Sequence, residues 1–208
     1  MKSTMSIKSS ISEQVKDKVS SFHRGKVFTA QDINIKGKHE TISRSLSRMV
    51  EIGVLKRVIK GVYYKPKQST LFKNRVLPPD LNKALKAISI ANKEKIQIHG
   101  AIAVNRFGIS TQIPMTEIYY TTGHSRELRI GGSKVKFVHT SNKAMFESKI
   151  PEVGMAVAAM QYLGKELVNE NVVKCIRTKL TEEQYALLIN LPLTAWMKLA
   201  LNGKNCDK

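Results

Sequence analysis

The chain has 208 residues, with 35 Lys/Arg against 16 Asp/Glu, a formal charge of +19 and a pI of about 10.0. That length holds one or two domains, and that charge makes nucleic acid the default partner. It excludes several classes: no apolar run spans a bilayer, no helix has the lysine-flanked amphipathic form of a membrane-surface segment, and Cys175 and Cys206 lie too far apart for a disulfide framework or a zinc pattern.

The charge is uneven. Residues 1–75 hold 17 Lys/Arg against 5 Asp/Glu, and residues 76–208 hold 18 against 11, so the first third carries most of the field. The start, MKSTMSIKSS, lacks an apolar signal core and reads as a mobile leader. Two unpaired cysteines suit a reducing cytoplasm. Ile7, Ile11, Val15 and Val19 recur every four residues, and Ser10 with Glu13 forms a capping box that can start this first helix. Val27-Phe28 is a short apolar piece suited to a strand beside a later hairpin. Thr29 to Asp32 starts a brief second helix through Ile33, and Gly37 can cap a third, with Glu40 at its third position.

Lys38 to Pro66, KHETISRSLSRMVEIGVLKRVIKGVYYKP, is the stretch around which the chain is organised. Ile42, Leu46, Met49 and Val50 form one apolar stripe of a helix, with Thr41, Arg44, Ser47, Arg48 and Glu51 opposite. Gly53 supplies a left-handed stop. Val58-Ile59, Gly61 and Val62-Tyr63-Tyr64 read as strand, turn and strand, ended by Pro66. This is the sequence form of a winged helix-turn-helix. The hydroxyls of Thr41, Ser43 and Ser47 and the arginines suit bases and phosphates, and Lys56, Arg57, Lys60 and Lys65 would reach neighbouring phosphates. Tyr63 and Tyr64 alternate, so one should pack inward and the other should face solvent or phosphate.

Residues 67–79 read either as a basic linker that also crosses DNA backbone or as a solvated connector. Asp80 then starts a helix that buries Leu81, Leu85 and Ile88. Ile96 to His99 alternates as a strand, and Gly100 to Val104 begins a buried helix. Thr116 to Thr122, Glu127 to Ile130 and Ser133 to His139 are strands, the last two joined by a Gly131-Gly132 turn. Pro151 to Leu163 is a buried helix; Thr181 precedes another through Asn190, and Thr194 to Leu201 is the last before a frayed tail. The fold class expected is α+β: a winged helix-turn-helix over 1–70, then a mixed domain over 78–208 with a small antiparallel sheet flanked by helices.

Catalytic sets are sparse. Glu127 with Lys134 and Lys136 across a hairpin suggests a nuclease-like acid/lysine cluster, but a metal nuclease needs converging carboxylates, and no Asp occurs between Asp80 and Asp207. His23, His39, His99, His124 and His139 have no metal spacing and read as structural. There is no phosphate-binding glycine loop. No catalytic residue, metal or cofactor is expected.

The Lys38–Pro66 stretch resembles the winged N-terminal domain of AbiEi-type antitoxins of type IV toxin–antitoxin, or abortive-infection, systems. The stretch IQIHGAIAVNRFGISTQIPMTEIYYTTGHSRELRIGGSKVKFVHTS is similar to that family's following domain, so the likeness covers roughly residues 7–145. The resemblance implies a DNA-binding antitoxin that represses its own operon through promoter inverted repeats. It also implies a nucleotidyltransferase-like toxin as functional partner, often without a stable complex between the two. Carried onto this chain, the DNA contacts would be Lys38, His39, Thr41, Ser43, Arg44, Ser47 and Arg48 on the helix, with Arg57, Lys60 and Tyr63 on the wing. Arg126, Arg129, Lys134 and Lys136 are the candidates for neutralisation. Two other readings stand beside this one: a transcription regulator whose second domain senses a ligand or mediates oligomerisation, and a DNA-processing enzyme.

Overall fold

The structure is a computed structural model that describes residues 10–72, 75–112 and 114–203. The expected leader with Ile7, Cys206 and the tail beyond Gly203 lie outside the described residues. The class is α+β, and the chain divides into two units.

The first unit comprises residues 1–93 with Arg129–Ser133. Helix α1 (Ile11–Ser21) opens on the Ser10/Glu13 capping box and buries Val15 and Val19. Strand β1 (Val27–Thr29) leads into a 3₁₀ helix (Ala30–Ile33) whose start is closed by a Thr29/Asp32 box. Helix α2 (His39–Glu51) buries Ile42, Ser45, Leu46 and Met49. Its N-cap is Lys38 rather than Gly37, and it ends at Ile52, with Gly53 following at φ +77°. Strands β2 (Lys56–Ile59) and β3 (Val62–Tyr64) complete an antiparallel sheet of order β1-β3-β2.

Both tyrosines of β3 are buried, Tyr63 at 3% and Tyr64 at 2% exposure, so neither faces solvent. The alternation holds, but the sheet is covered on both faces. Tyr63 joins the core with Phe28, Leu46 and Met49. On the other side helix α3 (Leu81–Asn92) packs on β1 and β3, and the Tyr64 hydroxyl donates to the Leu77 carbonyl at 2.9 Å. That coverage also moves the domain boundary: α3, expected to open the second domain, belongs to the first. Residues 67–79 are likewise more than a linker, since β4 (Lys67–Gln68) and β5 (Val76–Leu77) pair as an antiparallel ribbon.

Lys65 departs from its expected role too. Its ammonium donates to the carbonyls of Val19, Ser20 and Phe22 at 2.9, 2.8 and 2.7 Å. These carbonyls lie at the α1 C-terminus, where a cation is favoured by the helix dipole, and the Val19 carbonyl also accepts from Phe22 N. All three ammonium donors are therefore used inside the protein.

The second unit spans Glu94–Leu128 and residues 134–208. A four-stranded sheet has the order β6-β7-β9-β8, from β6 (Ile96–Ile98), β7 (Glu117–Thr121), β8 (Arg126–Ile130) and β9 (Ser133–His139), the hairpin tip Arg129–Ser133 being grouped with the first unit. Strands β6 and β7 are antiparallel, but β7 and β9 run parallel, with Tyr119 beside Phe137. The sheet is mixed, not wholly antiparallel, because the β8–β9 hairpin docks its second strand against β7 and leaves β8 at the edge. Helix α4 (Gly100–Arg106) lies against α5 (Pro151–Leu163), which buries Val153, Ala156, Val157 and Met160. Helices α6 (Glu170–Lys179), α7 (Glu182–Ile189) and α8 (Ala195–Leu201) close the unit. Helix α6 went unread in the sequence, although Asn169 caps it and Val172 and Ile176 are its buried pair. Among the described residues no helix is long and apolar enough to cross a membrane.

Replacing Lys65 with methionine keeps the aliphatic stem and removes the ammonium from all three carbonyls, of which Val19 retains the Phe22 N–H. Chemical denaturation should show a loss of about 1–3 kcal/mol, the scale of hydrogen bonds to a charged group.

Candidate nucleic-acid interface

The outward face of α2 begins with exposed Lys38, His39 and Glu40 and continues through exposed Arg44, Arg48 and Glu51. Thr41, Ser43 and Ser47 are half-buried beside them. The apolar stripe explains this division: with Ile42, Leu46 and Met49 turned into the core, the charged positions are left outside. Arg44 sits 3.5 Å from Glu40 one turn back, both side chains being largely exposed. Such a pair holds its members weakly and leaves Arg44 available.

The β2–β3 hairpin adds exposed Lys56, Arg57 and Lys60, the last beside Gly61, whose φ of +83° allows the tight turn. Arg57 Nη2 donates to Ser47 Oγ at 2.8 Å, tying hairpin to helix. The Arg57 guanidinium carbon also lies 5.8 Å from the Tyr63 ring centre. Ser47 Oγ accepts this bond and so positions Arg57, while its own O–H remains available to donate. Tyr63 is a core residue stacked on Phe28 at 5.9 Å, and it drops out of the surface set. Ser45, next to the stripe, is buried and donates to the Thr41 carbonyl at 3.0 Å.

Of the four cations considered for neutralisation, Arg126 does not share a face with Lys134 and Lys136. Arg126 is held by the buried Glu94 carboxylate, which also accepts from the Thr121 hydroxyl at 2.8 Å, and its guanidinium lies over the Phe137 ring. Lys134 and Lys136 stand on the opposite sheet face from Phe137, because neighbours on a strand alternate. Lys134 pairs with Glu127 at 2.8 Å, and this hydrogen bond holds the Glu127 carboxyl below the usual carboxylate range. Arg129 is exposed and groups with the first unit. Arg75, inside the stretch read as a linker that could cross DNA backbone, is a further exposed cation of that unit, though the sequence did not single it out. Among the described residues no three His, Cys, Asp or Glu side chains gather as metal ligands.

His99 has a structural post. It caps α4, its Nδ1 accepting from Ala101 N at 3.2 Å, and it packs on Tyr120 and Tyr162. Burial, and secondly the charge of Lys136, lowers its pKa from 6.5.

Residues 14–188 match a family of unknown function, DUF6088. The chain belongs to that family. No curated protein matches this DUF6088 chain. Among solved structures it is similar to the RV2827C protein from Mycobacterium tuberculosis, at 13% identity and a TM-score of 0.42, covering 91% of this chain and 75% of that one. A likeness that distant transfers neither fold nor activity to DUF6088.

Two outcomes follow from these contacts. A double-mutant cycle of Ser47→Ala and Arg57→Ala should give a coupling of about 0.5–1.5 kcal/mol in urea unfolding, and additive effects would mean the tie carries no weight. The lowered pKa of His99 means that the unfolded chain binds its proton more readily. The stability it lends is complete above about pH 6.5 and is lost as the pH falls through the lower folded value. His99→Asn, which keeps a capping side chain, should flatten that part of the stability–pH curve.

Proposed function

We propose that this chain is a DNA-binding antitoxin of the type IV kind, which represses its own operon and counteracts a nucleotidyltransferase-like toxin. The observation that carries the DNA-binding part is the joined basic surface of α2 and the β2–β3 hairpin, tied by Arg57 and Ser47. The element order supports it: helix, strand, short helix, helix and hairpin, with β1 paired to β3, is the order expected of a winged helix-turn-helix. In that arrangement α2 enters the major groove. Arg44 and Arg48 reach base edges and phosphates there, with Lys38, His39, Thr41 and Ser43 beside them. Lys56, Arg57 and Lys60 of the wing meet the flanking backbone. Opening the Arg44–Glu40 pair costs little, since both partners are exposed. The partner is duplex DNA bearing promoter inverted repeats, and the setting is the cytoplasm.

The antitoxin part rests on the sequence resemblance of 7–145 to AbiEi-type antitoxins. It needs no enzyme activity in this chain, and no cofactor. A second reading, a regulator whose second unit senses a ligand, is favoured by an open groove of about 740 Å³ in that unit, bordered by Asn142, Gln161, Lys165 and Trp196.

Arg44→Ala should weaken binding to the chain's own promoter by about 1–3 kcal/mol while leaving random duplex affinity less changed. Fluorescence anisotropy on the two duplexes checks this, and equal affinity of wild type and variant for the promoter would remove Arg44 from the base contacts. Co-expression with the operon neighbour separates the two wider readings. Growth rescue supports the antitoxin; absence of rescue, with promoter binding intact, supports the regulator.

A further inference from the structure

The first unit contains a hollow of about 310 Å³ between the β2–β3 hairpin and the β4–β5 ribbon. Lys56 and Arg57 of β2, Arg75 of the ribbon and Arg129 of the Arg129–Ser133 segment line it. Val76 and Leu77 form part of its apolar wall, and among the described residues no carboxylate lines it. All four cations are exposed, and none belongs to an ion pair among the described residues. Arg57 donates to the Ser47 hydroxyl, and the Arg75 guanidinium lies 5.8 Å from the Phe72 ring centre. The sequence keeps acid away as well: residues 52–79 hold seven Lys/Arg and no Asp or Glu.

Four like charges around one concavity repel each other, and an apolar wall focuses their field. An anion at the centre relieves that repulsion. Three of the four are arginines, whose planar forks match the paired oxygens of phosphate better than an ammonium does. The space suits a phosphate group with part of what it is attached to.

We propose that this hollow seats a phosphate, and that the phosphate belongs to the backbone of the duplex lying along α2 and the β2–β3 hairpin. The backbone as source rests on the DNA-binding reading; the phosphate seat itself does not. Arg75 and Arg129, outside the helix and wing, thereby become part of the contact. The interface extends one ribbon beyond a helix and its hairpin. Because it touches only backbone, the hollow adds affinity on any sequence and none of the selectivity.

The test uses the full chain with Arg75→Glu, Arg129→Glu and Arg75→Ala, and with Arg48→Ala for comparison, titrated on its own promoter and on a random duplex across a salt series. Each reversal should cut affinity about tenfold on both duplexes alike, and Arg75→Ala should lower the slope of log K against log salt by about one. Unchanged affinity and slope, with Arg48→Ala still weakening promoter binding, would overturn the backbone contact and leave the DNA reading standing. A second arm titrates inorganic phosphate while following the arginine side-chain NMR signals. Saturable shifts at Arg57, Arg75 and Arg129, lost in Arg75→Glu, support the seat even if no duplex is bound, in which case the DNA reading falls and a free phosphate compound is the occupant. No shift together with no change on DNA overturns the proposal entirely.

Discussion

Burial of β3 on both faces is the constraint from which the first unit follows. This strand is central, paired with β1 on one side and β2 on the other. Its backbone is therefore fixed by two ladders, and its side chains by two packed layers. Tyr63 reaches toward α2 and Phe28, while Tyr64 reaches the ribbon at Leu77. Strand β2 can then occupy only one line, which brings Arg57 beside Ser47 and holds the hairpin against the helix. A polar tie of this kind contributes modestly to stability. Its larger effect is on direction, since Arg57 is presented at a set place instead of sampling solvent.

The charges divide by what already holds them. Lys65 spends its donors on three carbonyls of α1, and Arg126 is locked to Glu94, so two of the cations best placed by sequence are internal fasteners. Arg44 has a partner that yields readily, and Arg48, Lys56, Lys60 and Arg75 face solvent. Net charge alone does not identify a binding surface. The distinction lies in whether leaving the present partner exposes a buried group, as it would for Glu94, or merely returns an exposed one to water.

Much of this architecture was legible beforehand. The Ser10/Glu13 box, the α2 stripe, the Gly53 stop, the Gly61 turn and the β8–β9 hairpin depend on neighbours within a few residues, and local rules reach them. What escaped depends on partners far along the chain. Whether Tyr63 or Tyr64 faces water is decided by α3, some twenty residues later. Lys65 looks like any surface lysine until α1's carbonyls come to it across more than forty positions. The parallel β7–β9 pairing is invisible in strand patterns, which look alike in either direction. Of the expected DNA face, Lys38, His39, Arg44 and Arg48 stand outward, Thr41, Ser43 and Ser47 are half-buried beside them, and Tyr63 is a core residue.

The membership of α3 in the first unit bears on how the chain leaves the ribosome. Residues 10–64 supply α1, α2 and all three strands, yet only one side of the sheet is then closed. The face carrying Tyr64 stays bare until Ala84, Leu85 and Ile88 emerge and settle on it. During that interval the nascent sheet presents an aromatic surface to its surroundings, and a pause after β3 has left the ribosome but before α3 has would lengthen the exposure.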